Sequence, residues 1–202
     1  MSTLAPAPTV DRTEGLWVGL RMTADQFLQI LDDGQNYELI DGVVVMSPSP
    51  APKHQHVAGE IFTQLSLWLR DNRIGLAFAE TDVHLGQGPT GADLVYKPEI
   101  VFIRAERLPG MEEKLVGAPD LVVEVISRGS RRFDTQTKKD DYERSGVGEY
   151  WLIDPEREAL TFYRLEGGRF VEVAATGDTF ASQAVPGFIL DLARVRQVFK
   201  PW

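Results

Sequence analysis

The segment 121-LVVEVI-126 constrains the chain more than any other. Five of its six residues are aliphatic, which marks a strand covered on both faces, and Glu124 sits among them. Side chains alternate along a strand, so Leu121, Val123 and Val125 share one face and Val122, Glu124 and Ile126 share the other. A carboxylate between two aliphatic neighbours is costly unless it is paired, protonated or bound to a metal. The fold must therefore bury this strand and bring Glu124 something to hold.

The chain has 202 residues, 43% of them hydrophobic, enough for one domain with a sizeable core. Residues 1–20 begin with alternating Ala and Pro and have few periodic apolar positions, so they are expected to form a flexible arm ahead of a single domain over 21–202. No apolar run is long enough to span a membrane and the N-terminus lacks the pattern of a signal peptide, which predicts a cytoplasmic protein. The absence of cysteine excludes disulfides and thiolate metal sites. A net charge of −9 argues against broad non-specific attraction to nucleic acid. A divalent cation in a carboxylate site, or the local cluster Arg128, Arg131, Arg132, Lys138 and Lys139, would offset it; an ordinary solvated loop is the alternative for that cluster.

Thr23 has the features of an N-cap for a helix over 24–33, with Gly34 as its stop. Asp41-Gly42 lies between apolar alternations and predicts a tight hairpin. Val57, Ile61, Leu65 and Trp68 repeat at helical spacing within 55–72, the longest helix. Strands are expected over 76–85, 99–104, 121–127 and 149–154, a helix over 134–145 capped by Asp134 and ended by Gly146, a hairpin over 160–174, and a short helix near 192–199. This order predicts an α/β (α+β) domain with a central mixed β-sheet flanked by helices, in which 121–126 and 149–154 pair in parallel.

Glu99 resembles Glu124 in setting, because it opens an apolar strand and shares a face with Val101 and Ile103. Two such acids repel each other unless a proton or cation intervenes, and hard oxygens suit Mg²⁺ or Mn²⁺. Strand-end acids facing solvent or paired with arginine are the alternative. Lys138, one turn into the helix after the Glu124 strand, can reach back to orient or deprotonate a water and stabilise a phosphoryl oxygen; within KKDD it could equally be a solvated lysine. There is no phosphate-binding Walker loop, no GxGxxG in a βαβ context and no GxSxG elbow, and His54, His56 and His84 make a poor zinc set. Ser127 has no evident base partner.

The succession YELIDGVVV, SPSPAPKHQ, KPEIVF, GAPDLVVEVIS, RRFD…K…Y and SGVGEYWLID resembles the bacterial endonucleases of the Uma type, a branch of the PD-(D/E)XK superfamily, over about residues 22–195. That resemblance implies a restriction-endonuclease-like core and a divalent-metal site for Mg²⁺ or Mn²⁺. It implies that Glu99 and Glu124 are metal ligands, that Val125 adds its backbone carbonyl, that Lys138 is the catalytic lysine supplied from the following helix, and that Glu38 is an early acid of the same site. His54 and Gln55 match a pair at the head of the long helix, with capping or packing as the alternative to a role in the site. Glu99 stands where the family motif has aspartate, and its extra methylene moves the carboxylate by roughly an ångström in a site where Mg²⁺ demands near-ideal geometry.

The expected activity is metal-dependent hydrolysis of phosphodiester bonds in DNA, with Arg131 and Arg132 neutralising backbone phosphates and two copies pairing as a homodimer. The alternative from another class is a catalytically impaired nuclease fold that serves as a nucleic-acid-binding or assembly module.

Overall fold

The computed structural model describes residues 15–47, 49–127 and 129–200. Arg128 of the basic cluster and residues 1–14 of the expected arm lie outside the described residues. In chain order the elements begin with α1 (Ala24–Phe27), β1 (Asn36–Ile40), β2 (Val43–Ser47), α2 (Pro52–Asp71), β3 (Gly75–Ala79), β4 (Val83–Gln87), β5 (Asp93–Tyr96), β6 (Ile100–Arg104) and β7 (Leu115–Val116). They continue with β8 (Leu121–Val125), a π-helical stretch (Phe133–Lys138) running into α3 (Lys139–Ser145), β9 (Glu149–Asp154), β10 (Ala159–Glu166), β11 (Arg169–Glu172), β12 (Thr179–Ala181), β13 (Ile189–Asp191) and α4 (Leu192–Gln197).

The mixed sheet is six-stranded, in the order β11-β10-β9-β8-β6-β3, and β8 pairs with β9 in parallel through the intervening helix. A second sheet, not anticipated, has the order β2-β1-β5-β4-β7. The alternation along β8 sorts the core into two parts. Leu121, Val123 and Val125 face α2 and the C-terminal segment, where they meet Val57, Ile61, Leu65, Trp151 and Phe188. Val122 and Ile126 face the other way, towards Val83, Leu85, Leu94 and Tyr96 of the second sheet and towards Tyr142 of α3. Glu124 shares that second face and lies at the junction of both sheets and the helix.

The junction arises because the chain crosses between the two sheets five times from β2 to β8. The strand expected over 76–85 divides into β3 in the six-stranded sheet and β4 in the five-stranded one. The break falls at Glu80, whose φ of 46° is left-handed and whose amide donates to the Glu99 carbonyl at 3.1 Å. The return passes through Lys97, Pro98 and Glu99 between β5 and β6. β5 itself was absent from the sequence-based expectation; Leu94, Val95 and Tyr96 are each fully buried, although glycines and a proline flank them.

Other local signals were met. Asp41 and Gly42 both have positive φ, 48° and 72°, as a two-residue hairpin turn requires, and β1 pairs with β2 around them. Gly146 ends α3 in the left-handed conformation at φ 89°. Thr23 caps α1 in a capping box, but that helix stops at Phe27 instead of reaching residue 33. Residues 15–20, assigned to the arm from composition, are tied to the hairpin: the Gly19 amide donates to the Val44 carbonyl at 2.8 Å and the Val44 amide to the Leu20 carbonyl at 2.9 Å. Trp17 packs with this hairpin layer, so one aromatic ring and these backbone hydrogen bonds dock the segment while Leu16, Val18 and Leu20 stay exposed.

Candidate active site

β6 and β8 are antiparallel neighbours in which Ile100 pairs with Val123, so the next step of the register puts Glu99 opposite Glu124. Directly opposed residues point to the same face of a sheet, and the two carboxylates therefore converge. A third acid arrives from the second sheet. Glu38 on β1 turns inward, its Oε1 accepting the Lys97 amide at 3.1 Å and its Oε2 the Ser47 hydroxyl at 3.2 Å.

Lys138 bridges the sheets. Its ammonium lies 2.8 Å from Glu38 Oε1 and 2.8 Å from Glu124 Oε1. Glu38 and Glu124 are each 4% exposed and Lys138 is 6% exposed, so this is an ion-pair network shielded from bulk water. Tyr142, one turn beyond Lys138, donates its hydroxyl to Glu124 Oε1 at 2.7 Å. Burial alone would lower the Lys138 pKa, but Glu124, Glu38 and Asp134 more than offset it and hold the ammonium above its ordinary range.

The site has more acid than cation. Burial, followed by the charge of Glu124, raises Glu99 to about 8. Burial, again followed by Glu124, raises Asp134 to about 7. Burial is also the first cause holding Glu124 above its ordinary range, partly countered by Lys138. Near neutral pH, Glu99 therefore retains its proton and Asp134 is only partly ionised, in place of the positive charge that a single lysine does not supply.

These groups line a cavity of about 550 Å³. Its acidic floor is Glu38, Glu99, Glu124 and Asp134, with Lys138 among them, and Ile40, Val45, Met46, Pro50 and Phe133 form apolar walls. His54, in the first turn of α2, places its Nε2 at 2.6 Å from the Val125 carbonyl oxygen and 3.5 Å from Glu99 Oε1.

Five residues singled out from the sequence thus meet in one place: Glu38, Glu99, Glu124, Val125 and Lys138. Arg131 goes elsewhere. Its guanidinium is bound by Asp154 through two hydrogen bonds and lies near Glu156, an arrangement that anchors the start of the helix to the end of β9. Arg132 remains exposed, with Nε 3.3 Å from Gln136 Oε1. Asp134 was expected to cap the helix; it lies inside the π-helical stretch, 3% exposed, and lines the cavity. Its spacing of four from Lys138, like that of Tyr142, was the available signal that all three share one helix face.

The donor chemistry fits a hard divalent cation. Glu99 Oε2 is buried and has no hydrogen-bond partner. The Val125 carbonyl points to the same region, and Glu124 lies opposite Glu99. Among the described residues no group of three or more His, Asp or Glu side chains is gathered closely enough to cage an ion by itself. Two carboxylates and a carbonyl, completed by water and phosphate, are a coordination mode suited to Mg²⁺ and Mn²⁺.

The model of the family Uma2, described as "Putative restriction endonuclease", matches residues 24–193. The chain belongs to this family. A crystal structure from Anabaena variabilis ATCC 29413, described as a "putative nuclease belonging to DUF820", is similar with a TM-score of 0.71 and 22% sequence identity, over 89% of this chain and 99% of that one. No curated protein matches. The fold of this Uma2 member is the restriction-endonuclease-like α/β core, and the two findings support a nuclease. No helix among the described residues is long and apolar enough to cross a membrane.

Proposed function

We propose that this Uma2 protein is an endonuclease that hydrolyses phosphodiester bonds in DNA, with Mg²⁺ or Mn²⁺ held by Glu99, Glu124 and the Val125 carbonyl. The observation that carries the proposal is the pairing of Glu99 and Glu124 on one sheet face beside a buried, charged Lys138. An ion bound there would polarise a phosphoryl oxygen and acidify a coordinated water.

The chain's own groups divide the remaining work. Lys138 is held protonated, so it acts as a donor that orients water and meets charge developing on the phosphoryl oxygens, not as the base. Glu38 fixes Lys138 from the second sheet and Tyr142 fixes Glu124, so both catalytic groups are locked in place before substrate arrives. Asp134, at about 7, is poised to accept a proton near neutral pH. Arg132, exposed to solvent, would meet a backbone phosphate, whereas Arg131 serves the fold. Pairing into a homodimer, which would give each DNA strand its own site, is testable by light scattering.

Incubation of supercoiled plasmid DNA with Mg²⁺ or Mn²⁺ tests this reading. The native protein should nick or linearise it, and Lys138→Met should be slower by about a hundredfold or more, the scale of losing one charge-stabilising group. Equal cleavage by the variant contradicts the assignment.

A second reading, DNA binding without cleavage, is favoured by one observation: Lys138 and Tyr142 already occupy Glu124 Oε1. Retention of an oligonucleotide without cleavage in either metal would favour it.

A further inference from the structure

His54 carries an inference that rests on the metal-site proposal and goes beyond it. Its Nε2 is 2.6 Å from the Val125 carbonyl oxygen, a hydrogen-bond distance, and 3.5 Å from Glu99 Oε1. A carbonyl has no proton to give, so Nε2 must carry the hydrogen and donate it. Burial favours the neutral ring, so Nδ1 is the bare nitrogen, and it is buried without a partner. Nε2 therefore faces two of the groups that the proposed cation would draw together with Glu124, the Val125 carbonyl and the Glu99 carboxylate. The imidazole N–H thus stands where positive charge belongs, contributing a partial charge to oxygens otherwise left facing each other.

We infer that His54 is a placeholder for the cation: in the metal-free protein its Nε2–H satisfies the Val125 carbonyl beside Glu99, and binding of Mg²⁺ or Mn²⁺ displaces it. His54 is then a positioning residue. It keeps the carbonyl and Glu99 in place while the site awaits a metal, at the cost of competing with that metal.

Titration calorimetry with Mn²⁺ on the full chain tests this. His54→Ala removes the competing donor and leaves the Val125 carbonyl unsatisfied in the metal-free state, so it should bind Mn²⁺ roughly tenfold more tightly than the native protein. His54→Gln, whose amide reaches about as far as Nε2 and still donates, should stay close to the native affinity. Unchanged or weaker binding in His54→Ala, with Glu124→Gln still abolishing it, overturns the placeholder role and leaves the metal site standing. Loss of Mn²⁺ binding in the native protein, with and without oligonucleotide, removes both. A measurement on the native chain stands apart from the folding of any variant: with ¹⁵N-labelled histidine, Mg²⁺ should move the His54 Nε2–H resonance away from its hydrogen-bonded position, and an unmoved resonance in metal-saturated protein contradicts displacement.

Discussion

Glu124 on β8 and Glu149 on β9 lie on neighbouring parallel strands and are 4% and 1% exposed, yet they are buried in opposite ways. Glu149 shares its strand face with Trp151 and points towards α2 and the C-terminal segment. Four donors close around it: Trp151 Nε1 at 3.1 Å, Arg164 Nε at 3.0 Å, the Ser182 hydroxyl at 2.8 Å and the Gln183 amide at 2.7 Å. Both oxygens are satisfied, and the group ties β9, β10 and the segment after β12 together. Glu124 points to the other face and shares Lys138 with Glu38, while Glu99 opposite it has an oxygen with no partner. A finished network of this kind holds a fold together. One left short of positive charge leaves a carboxylate oxygen without a partner, and burial by itself does not distinguish the two.

The largest effect is expected on the finished side. Glu149→Ala leaves Arg164 and three further donors without their acceptor and should cost about 3–5 kcal/mol of stability in chemical denaturation. A loss below about 1 kcal/mol would show that Glu149 is not the tie described here.

The unfinished side should reveal itself through pH. Glu99 is raised from 4.5 to about 8 and Asp134 from 3.8 to about 7, so the folded protein keeps protons that the unfolded chain releases. Stability should therefore fall as pH rises from about 4 to about 8, and Mn²⁺ should flatten the slope by replacing the protons. A metal-free protein whose denaturation midpoint is constant or rises over that interval would contradict the site's surplus of acid.

A smaller change separates geometry from charge. Glu99→Asp keeps the carboxylate and withdraws it by one methylene, so Mn²⁺ affinity and cleavage should rise several-fold if the longer side chain misplaces the ligand, an effect of about 1 kcal/mol. Identical titration curves would mean that the site tolerates either length. The smallest effects concern the two arginines. Arg132→Ala should reduce the salt dependence of DNA binding by about one phosphate contact. Arg131→Ala should leave that slope alone and lower stability, because it loses Asp154; the reverse pattern would exchange their roles.

Glu124 was legible in the sequence because its aliphatic neighbours forbid a surface position. Helical spacing left Lys138 open between the site and a solvated face, and the family resemblance assigned it; the hairpin followed from Asp41-Gly42. Glu38 was legible through the family resemblance alone, since an acid in an alternating hairpin ordinarily faces solvent. Asp134 was hidden by looking like a helix cap, and the π-helical stretch that turns it inward has no local sequence signature. The division of 76–85 between two sheets was marked only by the polar run Glu80, Thr81 and Asp82, which was not read as a break between β3 and β4. That division opens the cavity, so the pair of acids was visible before the space between them was.

Titration calorimetry with Mn²⁺ on the native protein and on Glu124→Gln, each repeated with a short DNA oligonucleotide, tests the central claim most directly. The account predicts saturable binding in the native protein that disappears in Glu124→Gln while both unfold at similar denaturant concentrations. Equal binding by the two proteins, or none by the native protein even with oligonucleotide, would contradict it.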